Sequence, residues 1–240
     1  MHKLTEVIQN SMKPAWGQIE QDAIQEYTLG EILQYVETVS ASEIVFIRDA
    51  FSMNMELLEE GLQSSKTSFG PMLKKQNGGK LISDNENRTA QLLCNGALEA
   101  RVLGLNKPAM SIAGSGVCGI ITTLPLFAYQ QIYRDTITVD QILYATALSY
   151  LVTIHIKEKM EKDFQFCGCE IAAGVGMACG LCYLQGGRGD KIQEVIDGMV
   201  LKMKGLVLEE NKGCVRTGIM LVDASFQVVE TVMKEMMGEV

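Results

Sequence analysis

Apolar residues recur along this chain mostly at helical spacing. Over residues 41–63 the positions Ile44, Ile47, Phe51, Met55 and Leu58 fall three or four apart, the buried face of an amphipathic helix. Ser40 with Glu43 has the spacing of a capping box that would open this helix, and Thr28 with Glu31 would open an earlier one. In such a box each side chain satisfies an N–H group that the helix start leaves without a partner. Thr138 with Gln141 repeats the spacing and predicts a helix from there to about residue 162. Further helices are predicted over 85–102, over 117–134 with a kink at Pro125, over 191–204 and over 217–237.

The intervening stretches carry turn chemistry. Residues 70–79 form a basic, glycine-bearing loop, and 207–216, VLEENKGCVR, forms another. Residues 104–116, GLNKPAMSIAGSG, hold Pro108 and three glycines and cannot be regular helix throughout. GGRGD, 186–190, is a turn. Alternating strand patterns are few and no internal repeat is present. The predicted class is all-α: a compact multi-helix domain with glycine-rich, buried central helices that approach one another closely.

Composition narrows the partners. The 240 residues, 47% of them hydrophobic, can bury a sizeable core without staples, as one large domain or two small ones. A net charge of −8 with no long basic run argues against nucleic acid, whose phosphates require a clustered positive surface. Residues 171–184 are apolar but too short and glycine-rich to span a bilayer, so no membrane partner is expected. The opening MHKLTEVIQNSMKPAW has no apolar signal core, and the expected location is the cytoplasm. There the seven cysteines stay reduced unless they bind metal, and an odd number suits a disulfide framework poorly.

Candidate chemistry lies in two segments. CGCEIAAGVGMACGLC, 167–182, holds four of the seven cysteines. Cys179 and Cys182 share a helix face and read best as small packing residues, because free cysteine is among the most buried residue types. Cys167 and Cys169 sit at the helix start, where the dipole favours thiolate, and are open to either role. In IAGSGVCGI, 112–120, the glycines free the backbone to present N–H groups ahead of a helix. That suits a substrate carboxylate at Gly114, Ser115 and Gly116, or equally a glycine-rich start needed for close packing. The phosphate-loop lysine and spacing are absent. His155 reads as structural and Lys157 as solvated or as an added charge for the site. Two histidines, one at position 2, cannot support a Ser/His/Asp triad.

Taken in order, these segments resemble the L-cysteine desulfidases and the related α-type iron–sulfur L-serine dehydratases. MKPAWGQIEQ resembles K-P-A-L-G-C-T-E-P. AMSIAGSGVCGIITTLP resembles M-S-x-x-G-S-G-N-Q-G with its apolar helix and proline. HIKEKMEKDFQFCGCEIAAGVGMACG resembles Y-I-K followed by L-C-G-x-x-x-A-A-x-x-G, and GLVLEENKGCVRTGIMLVDAS takes the place of G-M-I-C-D-G-A-K-x-S-C-A-x-K. The resemblance divides the chain into an N-terminal segment, 1–27, and a serine-dehydratase-α-like helical domain, 28–240.

The resemblance implies a lyase. A [4Fe–4S] cluster held by three cysteines would act as Lewis acid in β-elimination on L-cysteine or L-serine. The products would be pyruvate and ammonia, with sulfide from cysteine. This sequence departs from the pattern at Gln18, in place of a cysteine proposed to act in catalysis, and at Val117 and Cys118, in place of Asn-Gln. Leu208 and Val215 stand where the late cysteine pair falls, with Cys214 adjacent. A large domain that the family carries after its G-C-T-E-P motif is missing. Cys118, Cys214 and either Cys167 or Cys169 form the candidate ligand set, with Gly114, Ser115, Gly116 and Lys157 for the substrate. The alternatives to an active enzyme are a catalytically degenerate binding or regulatory module, or a subunit that needs a partner chain or a homo-oligomer.

Overall fold

A computed structural model of the chain describes residues 3–14, 24, 26–160, 168–206 and 213–238. Among these, ten α-helices run in order: α1 Lys3–Ser11, α2 Leu29–Thr38, α3 Arg48–Gln63, α4 Phe69–Gln76, α5 Glu86–Val102, α6 Gly116–Ile132, α7 Val139–Met160, α8 Gly168–Leu184, α9 Asp190–Leu206 and α10 Cys214–Met237. The expected all-α class is what the structure shows. Its only strands among the described residues are β1 Lys13–Pro14 and β2 Met110–Ser111, paired antiparallel with Lys13 opposite Ser111.

Helix α8 is the centre of the packing and touches α6, α7, α9 and α10. Its small residues make this physical. A Cβ on Gly176 would lie 2.1 Å from Thr153 Oγ1 and 2.4 Å from Ser149 O, so α7 and α8 meet at a distance only glycine permits. Ala172, Ala173, Met177, Ala178, Cys179, Leu181 and Cys182 on the same helix are all fully buried. Helix α7 is long and apolar enough to cross a bilayer, yet 67% of its most apolar stretch is buried within the protein, as in a core helix.

Side-chain contacts fix the helix directions. Ser149 Oγ donates to Thr122 O at 3.3 Å and its carbonyl faces Gly176, while Leu126 and Ala145 both meet Gly180. Helix α7 therefore runs antiparallel to α6 and α8, and those two run parallel. Leu221 packs on Gly174, and Cys182 Sγ lies 3.9 Å from Met233 Sδ, so α10 runs parallel to α8. Asp223 accepts from Asn87 Nδ2 at 2.9 Å and Gln91 Nε2 at 2.7 Å, and Gly218 packs on Asn95. Helix α5 is therefore antiparallel to α10. The starts of α6, α8 and α10 lie at one end of the bundle, with the end of α7.

Two local readings hold in detail. Glu31 and Thr28 bond reciprocally at the start of α2, and Thr138 and Gln141 do the same before α7. Helix α6 runs through Pro125 as one element. Three readings are corrected. Ser40 Oγ accepts from Ser42 N rather than pairing with Glu43, and two 3₁₀ turns, Ala41–Glu43 and Val45–Ile47, precede α3. β-Branched Ile44, Val45 and Ile47 crowd a regular helix, and a 3₁₀ turn stacks positions i and i+3, which lets Ile44 and Ile47 both reach the core. Residues 70–79 are not a loop: α4 covers 69–76 because the Glu99 carboxylate, brought by α5, accepts from the N–H groups of Ser68, Phe69 and Gly70 at 2.8–3.1 Å. Cys214 belongs to α10 rather than to the loop before it.

Candidate functional site

The segment between β2 and α6 is held from several sides. Asn54 of α3, fully buried, accepts from Met110 N at 3.0 Å and donates to Gly119 O at 3.4 Å. One amide so fixes both ends of the segment. Gly119 is obligatory, since a Cβ there would lie 1.8 Å from Met110 O. Ser111 Oγ donates to Lys13 O and ties in β1.

Between these anchors Ile112 and Ser115 exchange two backbone hydrogen bonds of 3.1 and 3.0 Å. The two residues enclosed, Ala113 and Gly114, have φ of 51° and 74°, as a type I′ turn requires. Left-handed backbone at an alanine costs about 1 kcal/mol, and the surrounding contacts hold it there. Lys157 is half-buried and donates from Nζ to Ala113 O at 2.5 Å. It is neither simply solvated nor remote: it braces the turn and sets a positive charge beside it.

Ser115 then caps α6, its Oγ accepting from Cys118 N at 3.2 Å, and Ser115 O takes the Gly119 N–H at 3.1 Å. Those bonds occupy the Cys118 and Gly119 donors of the first turn. The Gly116 and Val117 N–H groups, which no helix can satisfy internally, remain at the start of α6. Gly114 is exposed, Ser115 half-buried and Gly116 buried. The structure therefore brings Gly114, Ser115, Gly116 and Lys157 together in one braced feature that presents N–H groups and positive charge, a setting for an anion.

The cysteines separate into two groups. Cys94, Cys179 and Cys182 are buried thiols. Burial pushes Cys94 and Cys179 far above the usual thiol range and Cys182 up to about 11. They are packing residues. Cys118 lies fully buried in the first turn of α6, and half-buried Cys214 begins α10. Cys214 stands two turns before Leu221, which packs on α8, and so shares that face. Cys118, Cys214 and the backbone of Cys169 thus lie at the same end of the bundle. The side chain of Cys169 and all of Cys167 lie outside the described residues. Among the described residues no three His, Cys, Asp or Glu side chains form a group that could hold a metal, so the described thiols alone do not supply a cluster's ligand set.

Sequence reasoning passed over two residues here. Asn54 gave no signal, because its role is a contact between residues far apart in sequence. Glu170 did: it is a lone acid in a run of small apolar residues, and it is 6% exposed in the first turn of α8. His155 is half-buried, and its Nδ1 is enclosed without a hydrogen-bond partner. Burial and nearby Lys159 lower its pKa, consistent with a structural neutral imidazole.

Comparison with known proteins adds a family. A family model described as serine dehydratase alpha chain matches residues 3–239. A UPF0597 protein of Clostridium botulinum is 37% identical over 192 residues, covering 79% of this chain and 43% of that protein. One from Clostridium tetani is 31% identical over 218 residues, 89% of this chain and 49% of its own, and one from Methanocella arvoryzae is 33% identical over 191, 80% and 44%. The chain spans less than half the length of these curated relatives. No solved structure matches.

Proposed function

Because the chain belongs to the serine dehydratase alpha-chain family, we propose that it binds a small α-amino acid where α6, α8 and α10 begin and serves there in β-elimination. L-Serine would lose its α-proton and β-hydroxyl to give aminoacrylate, which hydrolyses to pyruvate and ammonia. L-Cysteine would lose sulfide in place of water. The observation that supports this reading is the braced turn at 112–115, joined to the start of α6 and to Lys157.

The roles follow from charge. The substrate carboxylate accepts from the Gly116 and Val117 N–H groups, where the dipole of α6 favours an anion. Removal of the α-proton spreads negative charge into that carboxylate, so donors fixed in advance stabilise the transition state more than the ground state. Lys157 keeps the turn in its left-handed conformation and adds positive charge alongside. A three-cysteine [4Fe–4S] cluster would contribute Lewis acidity, but the described thiols do not complete its ligand set and no role here depends on it.

Titration calorimetry with L-serine and L-cysteine, alongside a pyruvate assay, tests the reading. Lys157→Met, which removes the charged brace of the turn, and Ser115→Ala, which removes the cap that fixes the start of α6, should each weaken binding roughly tenfold. Failure to bind either amino acid, or binding indifferent to both variants, would overturn it. Binding without pyruvate would instead favour a degenerate binding module or a subunit that needs a partner chain. Gln18, Val117, Leu208 and Val215, at family positions that differ, support that second reading.

A further inference from the structure

Glu170 is a buried acid that the roles above leave unused. It is 6% exposed, and among the described residues no hydrogen bond or ion pair engages its carboxylate. Its position on α8 shows where it faces. Gly174, Met177 and Leu181 follow at four, seven and eleven residues, a single helical stripe. Gly174 packs on Leu221 of α10, and Met177 and Leu181 are fully buried. Glu170 therefore continues the stripe that looks into the bundle interior between α6 and α10, at its open end.

Register sets its height. Leu126 of α6 meets Gly180 of α8, and the two helices are parallel. Stepping back ten residues on each puts Gly116 level with Glu170. The same step of four from Leu221 and Gly174 puts Thr217 of α10 at that height. Neighbouring helix axes lie about 8–10 Å apart, so the acid on α8 and the N–H groups at the start of α6 stand on adjacent helices at the same height. Of the other buried acids at this end, Glu99 is taken up by the N–H groups at the start of α4, and Glu158 is turned away: five residues beyond Thr153, which faces α8, it projects about 140° around α7.

The Glu170 carboxylate oxygens are not among the enclosed atoms that lack a partner, so they reach the open end of the bundle. The N-terminal pole of its own helix favours an acid at this position. Building on the amino-acid-binding reading, we infer that the Glu170 carboxylate receives the α-ammonium of the substrate whose carboxylate rests on the start of α6. The two ends of the zwitterion then meet opposite charge on adjacent parallel helices. The site is selective for α-amino acids over the corresponding α-hydroxy acids, although both carry the same carboxylate.

The experiment measures binding of L-serine and of glycerate, which keeps the carboxylate and β-hydroxyl but has no ammonium, to the 240-residue chain and its variants. The wild type should prefer serine about tenfold or more, and Glu170→Gln should lower serine affinity by that factor while leaving glycerate within about twofold. Circular dichroism checks the fold. If Glu170→Gln does not fold, the ratio is read on Glu170→Asp, which keeps the charge on a shorter arm and should weaken serine alone. Equal weakening of both ligands, or an unchanged preference, overturns the inference while glycerate binding sensitive to Ser115→Ala preserves the carboxylate site. Failure of the wild type to bind either ligand overturns both.

Discussion

The two halves of α8 use small residues for different purposes. From Gly174 to Cys182 the helix is buried on every side, and its glycines let α7, α6 and α10 approach to distances no Cβ would allow. From Gly168 to Glu170 it opens at the end of the bundle beside the turn at 112–115 and carries an acid. Glu170 and the packed stretch are both buried, but only the packed stretch meets closely fitted neighbours. Burial alone therefore does not distinguish structure from site; unmatched chemistry does. The first half should answer to stability and the second to ligand binding.

The largest effect should come from the packed half. Gly176→Ala drives a methyl into Thr153 and the Ser149 carbonyl and should cost about 3 kcal/mol of unfolding free energy in urea titrations, the upper range for overpacking. A change within about 0.5 kcal/mol, the scatter of ordinary surface substitutions, would show that α7 and α8 can move apart freely. Asn54→Ala removes the amide that spans the segment before α6 and should cost about 2 kcal/mol. Its serine affinity should fall further than Lys157→Met alone, since the whole turn loses its brace. Unaltered affinity would mean the turn is held without Asn54.

The smallest effect concerns Cys182. Burial raises its thiol from an ordinary value of 9.0 to about 11. The folded state therefore keeps a proton that the unfolded chain releases, and this contribution to stability is full below pH 9 and lost as pH rises towards 11. Unfolding free energies of the wild type and Cys182→Ala should converge across that window. Parallel pH profiles would show that the thiol is not enclosed, and would blur the distinction between the two halves.

What could be read from the sequence follows interaction range. The boxes at Thr28 and Thr138 were legible because both partners lie within one turn. The α4 segment was not, because its cap is Glu99, some thirty residues away. The β1–β2 pair joins residues almost a hundred apart over two positions each, too short to leave an alternating pattern. Of the site, Gly114, Ser115 and Gly116 announced themselves through backbone chemistry. Lys157 was named without its partner, since only the packing of α7 against α6 delivers its ammonium to Ala113 O. Glu170 was visible as an anomaly in an apolar run, but the parallel course of α6 and α8 was needed to set it opposite Gly116.

That parallel course also shapes which molecules arrive. The chain carries a net charge of −8, a field that repels anions over roughly the 8 Å that physiological salt allows. The aligned amide ends of α6, α8 and α10 attract only at closer range. On the binding reading proposed above, a zwitterion, with no net charge, would cross the outer field unopposed and be oriented at the helix ends. A dicarboxylate of similar size would meet the repulsion first. Three helices pointing one way inside an acidic protein would then sort ligands by net charge before sorting them by charge arrangement.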